Sequence, residues 1–186
     1  MLRNKSMIML CHCIINCNSK VEGCSQYRGA IPEITKLLVD NGIGIIQLPC
    51  PEMTYYGIKR WGHVKDQFDT PFYRKHCRKI FQPYVEQLQD YIANGYEIIG
   101  LLGIEGSPSC GISLTCTGKW GGEFSNNPTL KETIEDLRMI SDQGVFIEEV
   151  SALLAEQGIT VPFLGIDEAE MADSVIKVNK FIRGSY

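Results

Sequence analysis

Cysteine is the residue type with the greatest chemical potential in this sequence. Eight of the 186 residues are cysteines, at positions 11, 13, 17, 24, 50, 77, 110 and 116. In a short secreted chain this number would predict disulfides, whereas clustered thiols in a cytoplasmic chain of this size more often bind a metal or take part in redox chemistry. Which of the two applies depends on where the thiols lie relative to the strands and helices.

The hydrophobic pattern predicts a parallel α/β fold, because short apolar runs alternate with longer amphipathic ones. The predicted strands are Met7–Leu10, Gly44–Leu48, Glu97–Ile104 and Thr160–Ile166. With right-handed crossovers this order gives a doubly wound, mostly parallel sheet, a Rossmann- or flavodoxin-like three-layer sandwich. We expect one domain over residues 1–186, since no linker or repeat interrupts the pattern.

Helices are predicted between and after these strands from apolar residues spaced three and four apart. They cover residues 31–39, 72–94, 127–140 and 146–157, and a last helix starts near Asp167 with Glu170 in a capping box. Pro83 is expected to bend or interrupt the second of these helices. The Gly- and Ser-rich stretch 105–126 is expected to be irregular.

Composition and charge exclude several classes of protein. The hydrophobic and charged fractions of 44% and 22% are typical of a globular chain, and the formal charge of -4 argues against a nucleic-acid partner. No apolar run reaches the roughly 18 residues of a membrane span. Arg3 and Lys5 before Met7–Leu10 imitate a signal peptide, but the apolar run is too short, so we expect a cytoplasmic protein.

Three thiols follow three predicted strands. Cys13 comes three residues after the first strand, Cys50 two residues after the second and Cys110 six residues after the third. Because the carboxyl ends of parallel strands share one edge, these thiols are expected to meet at one ligand site. Scattered thiolates suit an iron–sulfur cluster with one open iron better than zinc, which prefers paired C-x-x-C spacings. Cys11 remains an alternative to Cys13, whereas Cys77 is expected to be a buried hydrophobe.

Short motifs around these thiols resemble those of a known family. C-I-I at 13–15 with K-V-E-G at 20–23 is similar to the family pattern S-A-C-L-L-G-x-x-V-R-Y-D-G. C-P-E at 50–52 and S-P-S-C-G at 107–111 are similar to further motifs of that family. The family is that of the thiouracil desulfidases, small α/β proteins that remove sulfur from a thiolated pyrimidine as sulfide without net redox. The resemblance implies a [4Fe-4S] cluster held by Cys13, Cys50 and Cys110.

The sequence departs from the family pattern beside the second motif. Asn16 stands where the family has Gly, and residues 53–61 replace the family segment G-G-L-P-T-P-R. Because this region would line the substrate pocket, we expect a divergent, related subgroup. The resemblance then implies an iron–sulfur-dependent desulfidase that acts on a thiouracil-like heterocycle or another small thio-compound.

Three further residues are candidates for catalysis. Glu52 lies two residues after a proposed ligand, where it could act as general acid or base by activating water or protonating the leaving sulfide. Ser107 and Ser109 could orient substrate or water, or they could cap the turn that presents Cys110. Both interpretations of the two serines stay open at this stage.

Two other functions compete with this hypothesis. The chain could be a non-catalytic metal-binding or redox-sensing module, or a sulfur carrier that forms persulfides on Cys17 or Cys116. We expect a small-molecule thio-compound as the partner, with no nucleic acid and no membrane. A homodimer is left open.

Overall fold

A computed structural model describes residues 3–184 and contains a four-stranded parallel sheet and a two-stranded antiparallel sheet. The large sheet has the order β2-β1-β3-β6, and β4 pairs with β5 in the small one. The strands are β1 (Ser6–Leu10), β2 (Gly44–Gln47), β3 (Glu97–Ile104), β4 (Thr115–Thr117), β5 (Arg138–Ile140) and β6 (Phe163–Ile166).

Eight helices connect these strands within the described residues. They are α1 (His12–Ile15), α2 (Pro32–Asp40), α3 (Pro51–Tyr56), α4 (Lys65–Phe68), α5 (Pro71–Ala93), α6 (Leu130–Glu135), α7 (Val145–Glu156) and α8 (Met171–Phe181). A 3-10 turn, Cys17–Ser19, follows α1. None of the helices in residues 3–184 is long and apolar enough to cross a membrane.

The strand order confirms the predicted α/β fold class. The chain runs from β1 outward to β2, then returns past β1 to β3 and continues to β6, so the winding direction reverses between β1 and β3. Helices α5 and α7 pack together, as do α2 and α8, and right-handed crossovers place these two pairs on opposite faces of the sheet. This is a doubly wound, Rossmann- or flavodoxin-like arrangement.

The core explains why these elements form. The segment Met7–Leu10 is buried on both faces of the sheet, as the central strand of a parallel sheet requires. On α5, Tyr73, Cys77 and Phe81 recur every four residues and are fully buried, so one face of the helix lies against the core. Cys77 is therefore part of the hydrophobic core.

Three local predictions were wrong. Helix α5 runs continuously through Pro83, which lies on the exposed face while Phe81 and Val85 are held in the core. The predicted helix 127–140 ends at Glu135, because the residues of β5 pair with β4. The last helix begins at Met171, and no capping box forms, because the Asp167 side chain instead accepts the amide of Ala169.

Gly144, directly before α7, is a point of close backbone contact. A Cβ atom at this position would lie 2.5 Å from the carbonyl oxygen of Ser109. Its φ of -74° is accessible to any residue, so the requirement for glycine is purely steric. The N-terminus of α7 can approach the 107–111 loop this closely only because residue 144 has no side chain.

We expect Gly144→Ala to lower the free energy of unfolding by about 1–3 kcal/mol, because a methyl group would force the loop and the helix apart. Urea denaturation measures this change. Gly29→Ala is the matched control, since a Cβ at Gly29 meets nothing within 4 Å; its effect should stay within about 0.5 kcal/mol. Equal effects of the two substitutions would contradict the steric argument.

Candidate metal and catalytic site

Cys13, Cys50 and Cys110 line one cavity of about 330 Å³ at the carboxyl edge of the large sheet. Each thiol belongs to the segment that follows one strand, namely β1, β2 or β3. Because β1 lies between β2 and β3, these three segments are neighbours in space although they span almost a hundred residues of sequence. The cavity lies where ligands bind in open α/β sheets, at the switch in winding direction.

Cys13 lies in the first turn of α1, directly after β1, and is partly exposed. Desolvation raises the pKa of its thiol well above the usual value, and the neighbouring Cys110 raises it further. Lys20 opposes this rise and Cys50 adds to it, so both groups lie within electrostatic range of the Cys13 sulfur. The three candidate thiols therefore act on one another.

Cys50 is the residue that precedes the first turn of α3. Its sulfur accepts a hydrogen bond from the amide of Met53 at 3.4 Å. Burial raises the pKa of Cys50 to about 11, and the Met53 amide acts in the opposite direction. Pro51 starts the helix directly after the thiol, which holds Cys50 at the rim of the cavity.

Cys110 lies in a tight loop that Ser107 caps. The Ser107 hydroxyl accepts hydrogen bonds from the amides of Ser109 at 3.4 Å and Cys110 at 3.0 Å. Downstream, the Glu105 carboxylate accepts hydrogen bonds from three successive backbone amides, those of residues 112, 113 and 114. The turn-capping interpretation of Ser107 thus describes its observed contacts, and the oxygens of Glu105 are already occupied.

The N-terminus of α7 holds this loop from the other side. The amides of Phe146 and Ile147 both donate to the carbonyl of Ser109, at 3.0 and 3.2 Å, and the Val145 amide donates to the carbonyl of Pro108 at 3.1 Å. The first amides of a helix have no hydrogen-bond partner inside the helix. Here the carbonyl groups of the loop accept these hydrogen bonds, and the same contacts fix the position of the loop. This contact explains why glycine stands at position 144, directly before α7.

Glu52 lies beside the thiols and is held at both oxygens. Its Oε1 accepts a hydrogen bond from the Ser109 hydroxyl at 2.5 Å, and its Oε2 accepts one from Arg60 Nε at 3.0 Å. Arg60 is itself buried and also donates to the carbonyl of Ser19 at 2.7 Å. Sequence reasoning missed Arg60, because residues 59–79 contain seven lysines and arginines, a composition typical of a solvated surface.

The remaining cysteines divide between the cavity wall and the interior. Cys24 and Cys116 line the cavity, whereas Cys17 donates to the carbonyl of Cys13 at 3.1 Å. Cys11 is fully buried under the loop, where its hydrogen bond with Cys110, together with burial, raises the pKa of Cys110. The structure therefore places Cys11 behind Cys110 and leaves Cys13 on the cavity surface.

Three thiols that line one cavity are the kind of donors that an iron–sulfur cluster requires. No group of three or more His, Cys, Asp or Glu side chains in the described part of the chain converges closely enough to hold one ion. In an iron–sulfur cluster each cysteine binds a different iron, so thiols spaced around a cavity are the appropriate arrangement. Cys13, Cys50 and Cys110, which line one cavity, are the residues that could hold such a cluster.

A buried hydroxyl on α5 lacks a hydrogen-bond partner within the described residues. Tyr73 on α5 is fully buried, its ring stacks on Phe68 at 4.5 Å, and its hydroxyl has no hydrogen-bond partner within residues 3–184. Burial raises the pKa of this phenol, and Glu52, Cys110 and Cys50 add to the rise, so the hydroxyl lies within electrostatic range of the site. A buried O–H without a partner costs free energy.

Fold and site together define a parallel α/β protein with a cysteine-lined cavity at its topological switch. The chain belongs to the same family as the uncharacterized protein MJ0003 of Methanocaldococcus jannaschii. The two are 42% identical over 111 residues, which cover 60% of this chain and 70% of the relative. No protein-family model matches the chain.

Among solved structures, the chain is similar to a [4Fe-4S]-dependent thiouracil desulfidase, TudS. The superposition covers 93% of this chain and 97% of that chain, with 18% sequence identity and a TM-score of 0.46. At that TM-score the similarity assigns neither an activity nor a cofactor to this chain.

The Glu52–Arg60 contact should be energetically coupled in the metal-free protein. We expect a double-mutant cycle with Glu52→Gln and Arg60→Met to give a coupling of about 1–3 kcal/mol in the free energy of unfolding, because removing one partner leaves a buried charge unpaired. Chemical denaturation of the two single variants and the double variant measures it.

The exposed pair Lys36 and Asp40 on α2 is the matched control for this cycle. Its coupling, from Lys36→Met and Asp40→Asn, should not exceed about 0.5 kcal/mol, because solvent screens both charges. A coupling for Glu52 and Arg60 as small as that of the control would show that the buried pair is not held as the contacts indicate.

Proposed function

We propose that this protein is an iron–sulfur-dependent desulfidase that removes sulfur from a thiolated heterocycle as sulfide. The observation that carries the proposal is the placement of three thiols from three strand ends on one cavity, with Glu52 held beside them. The motifs at 13–23, 50–52 and 107–111, which resemble those of thiouracil desulfidases, lie on these same segments. Cys13, Cys50 and Cys110 would hold the cluster.

A [4Fe-4S] cluster with three cysteine ligands would supply one open, Lewis-acidic iron for the sulfur of the substrate. The chain's own contribution is the control of water and protons. The reaction replaces C=S by C=O: water supplies the oxygen, sulfur leaves as sulfide with the two protons of water, and no electrons are gained or lost.

Glu52 is the group that would move these protons. Its carboxylate, which accepts a hydrogen bond from Arg60, can accept a proton from attacking water and return it to the leaving sulfide. Ser109 donates its hydroxyl proton to Glu52 Oε1, so the serine fixes the direction of that oxygen and can pass a proton along. In this proposal Glu52 and Ser109 touch the reacting groups, whereas Ser107 positions Cys110.

The cavity wall is suited to a flat, mostly apolar ring. Trp120, Leu137 and Met139 line it together with the polar groups, and His63 adds another planar side chain. Residue types of this kind bind heterocycles by stacking and by apolar contact, while a few polar groups fix the orientation. Three of these four residues come from segments around β4 and β5.

The cluster is tested first. We expect chain produced and purified without oxygen to be brown and to contain about four irons and four sulfides. Serine at Cys13, Cys50 or Cys110 should each abolish the cluster, because each variant removes one of three ligands. Iron and sulfide analysis with ultraviolet–visible spectroscopy provides the measurement.

Cys77→Ser and Cys11→Ser distinguish this arrangement from its rivals. Cys77 lies in the core, so the serine variant should retain the iron. Loss of the cluster in Cys11→Ser would indicate a fourth protein ligand and a non-catalytic metal-binding module. A colourless zinc protein would refute the cluster, and a mass increase of one sulfur on Cys17 or Cys116 would favour the sulfur-carrier function.

Glu52→Gln tests the proton chemistry separately from the cluster. We expect iron content and visible spectrum to be nearly unchanged, while sulfide release from a thiolated heterocycle falls by about a hundred- to ten-thousand-fold, since an amide cannot take up the proton. Sulfide is measured without added reductant. Glu22→Gln, on an exposed residue, is the control and should have normal activity.

Near-normal turnover in a fully loaded Glu52→Gln protein would remove Glu52 from the mechanism. If the wild-type holoprotein released no sulfide from a broad panel of thiolated heterocycles and thioamides, the desulfidase function itself would be refuted.

A further inference from the structure

A buried ion pair forms one wall of the cavity and has no part in the mechanism above. Lys20, directly after the 3-10 turn, contacts Glu168, which lies two residues after the end of β6. The two side chains are only 11% and 12% exposed, and both residues line the cavity. Lys and Glu are rarely buried to this extent unless they are paired.

The pairing satisfies only half of the Glu168 carboxylate. Its Oε2 accepts the hydrogen bond from Lys20, but its Oε1 is buried and has no hydrogen-bond partner in the part of the chain that the structure describes. A buried acceptor left without a donor costs free energy that a hydrogen bond would recover. Glu168 thus has an unused acceptor position in a side chain that lines a ligand cavity.

The surrounding turn keeps Glu168 in place. The amide of Asp167 donates to the Ser174 hydroxyl at 3.0 Å, and that hydroxyl donates back to the Asp167 carbonyl at 3.0 Å. On the other side of Glu168, the amide of Ala169 donates to the Asp167 carboxylate at 2.9 Å. These hydrogen bonds fix the backbone on both sides of Glu168.

Charge balance decides which kind of donor fits. Lys20 neutralises Glu168 and Arg60 neutralises Glu52, while the Glu105 carboxylate is taken up by backbone amides. An ammonium group would gain little from a carboxylate that already has a cation, and an anion would be repelled by its free oxygen. A neutral N–H group matches the site.

We propose that the Lys20–Glu168 pair is a specificity element that accepts a hydrogen bond from a ring N–H next to the reacting carbon of the substrate. The inference rests on the proposed desulfidase function and adds the residue that selects among its substrates. Lys20 and Glu168 line the same cavity as Cys13, Cys50 and Cys110, so a ligand that donates its N–H to Glu168 lies in the cavity that the cysteines line. Ring thioamides with a free N–H are selected, and rings without that donor are rejected.

Two ring compounds of the same shape test the selection without any chemistry. In 2-pyridone an N–H lies beside the carbonyl carbon, and in 2-pyranone a ring oxygen replaces it; neither contains sulfur. With the anaerobically purified wild-type chain, we expect calorimetric titration to show about ten- to a hundred-fold tighter binding of 2-pyridone, the range for one hydrogen bond to a charged group.

The double variant Lys20→Met/Glu168→Met should bind the two rings with nearly equal affinity, because it removes the acceptor without leaving an unpaired charge. The matched control is Lys36→Met/Asp40→Met, which removes an exposed ion pair on α2 and should keep the wild-type preference. Circular dichroism verifies that both variants fold. The comparison of the two rings on the wild-type chain remains decisive if the first variant does not fold.

Sulfide release from pyridine-2-thione, measured separately, distinguishes the two proposals. Preference for 2-pyridone that is lost in the double variant supports the specificity element even when no sulfide is released, and in that case only the desulfidase function fails. Equal wild-type affinity for both rings, no binding of either at millimolar concentration, or an unchanged preference in the folded double variant overturns the role of Lys20 and Glu168.

Discussion

The parallel pairing of β1 with β2 on one side and β3 on the other is the constraint on which the site depends. In a parallel sheet every strand delivers its following loop to the same edge. Since these three strands are adjacent, the segments that carry Cys13, Cys50 and Cys110 lie next to one another at that edge. A change in strand order would separate the thiols even if each loop kept its own conformation.

Around this edge, the buried charged groups named here lie beside partners of opposite charge. Glu52 is held by Arg60 and Ser109, and Lys20 is paired with Glu168. Farther from the cavity, Lys65 on α4 and Arg74 on α5 form ion pairs with carboxylates in the first turns of α7. These ion pairs link α4 and α5 to the helix that contacts the 107–111 loop. Desolvation makes each of these contacts costly to break, which gives the cavity a defined shape.

Sequence reasoning identified the four central strands and the long helices well, because buried strands and amphipathic helices have clear hydrophobic periods. The secondary-structure prediction failed where the local sequence pattern favoured one structure and contacts with distant residues stabilised another. Residues 138–140 continue a helical spacing, yet they form β5 because Thr115–Thr117 offers backbone hydrogen bonds. Pro83 is a helix breaker by propensity, yet α5 continues through it because Phe81 and Val85 are anchored in the core.

The sequence by itself determined the fold class and the order of the thiols relative to the strands, since both follow from local periodicity and spacing. Only the tertiary structure decided that Arg60 is a buried partner of Glu52 and that Lys20 reaches Glu168 across 148 positions. Charged residues look alike in a sequence, because their role depends on what desolvates and pairs them, and those partners come from distant segments that meet only when the sheet is assembled.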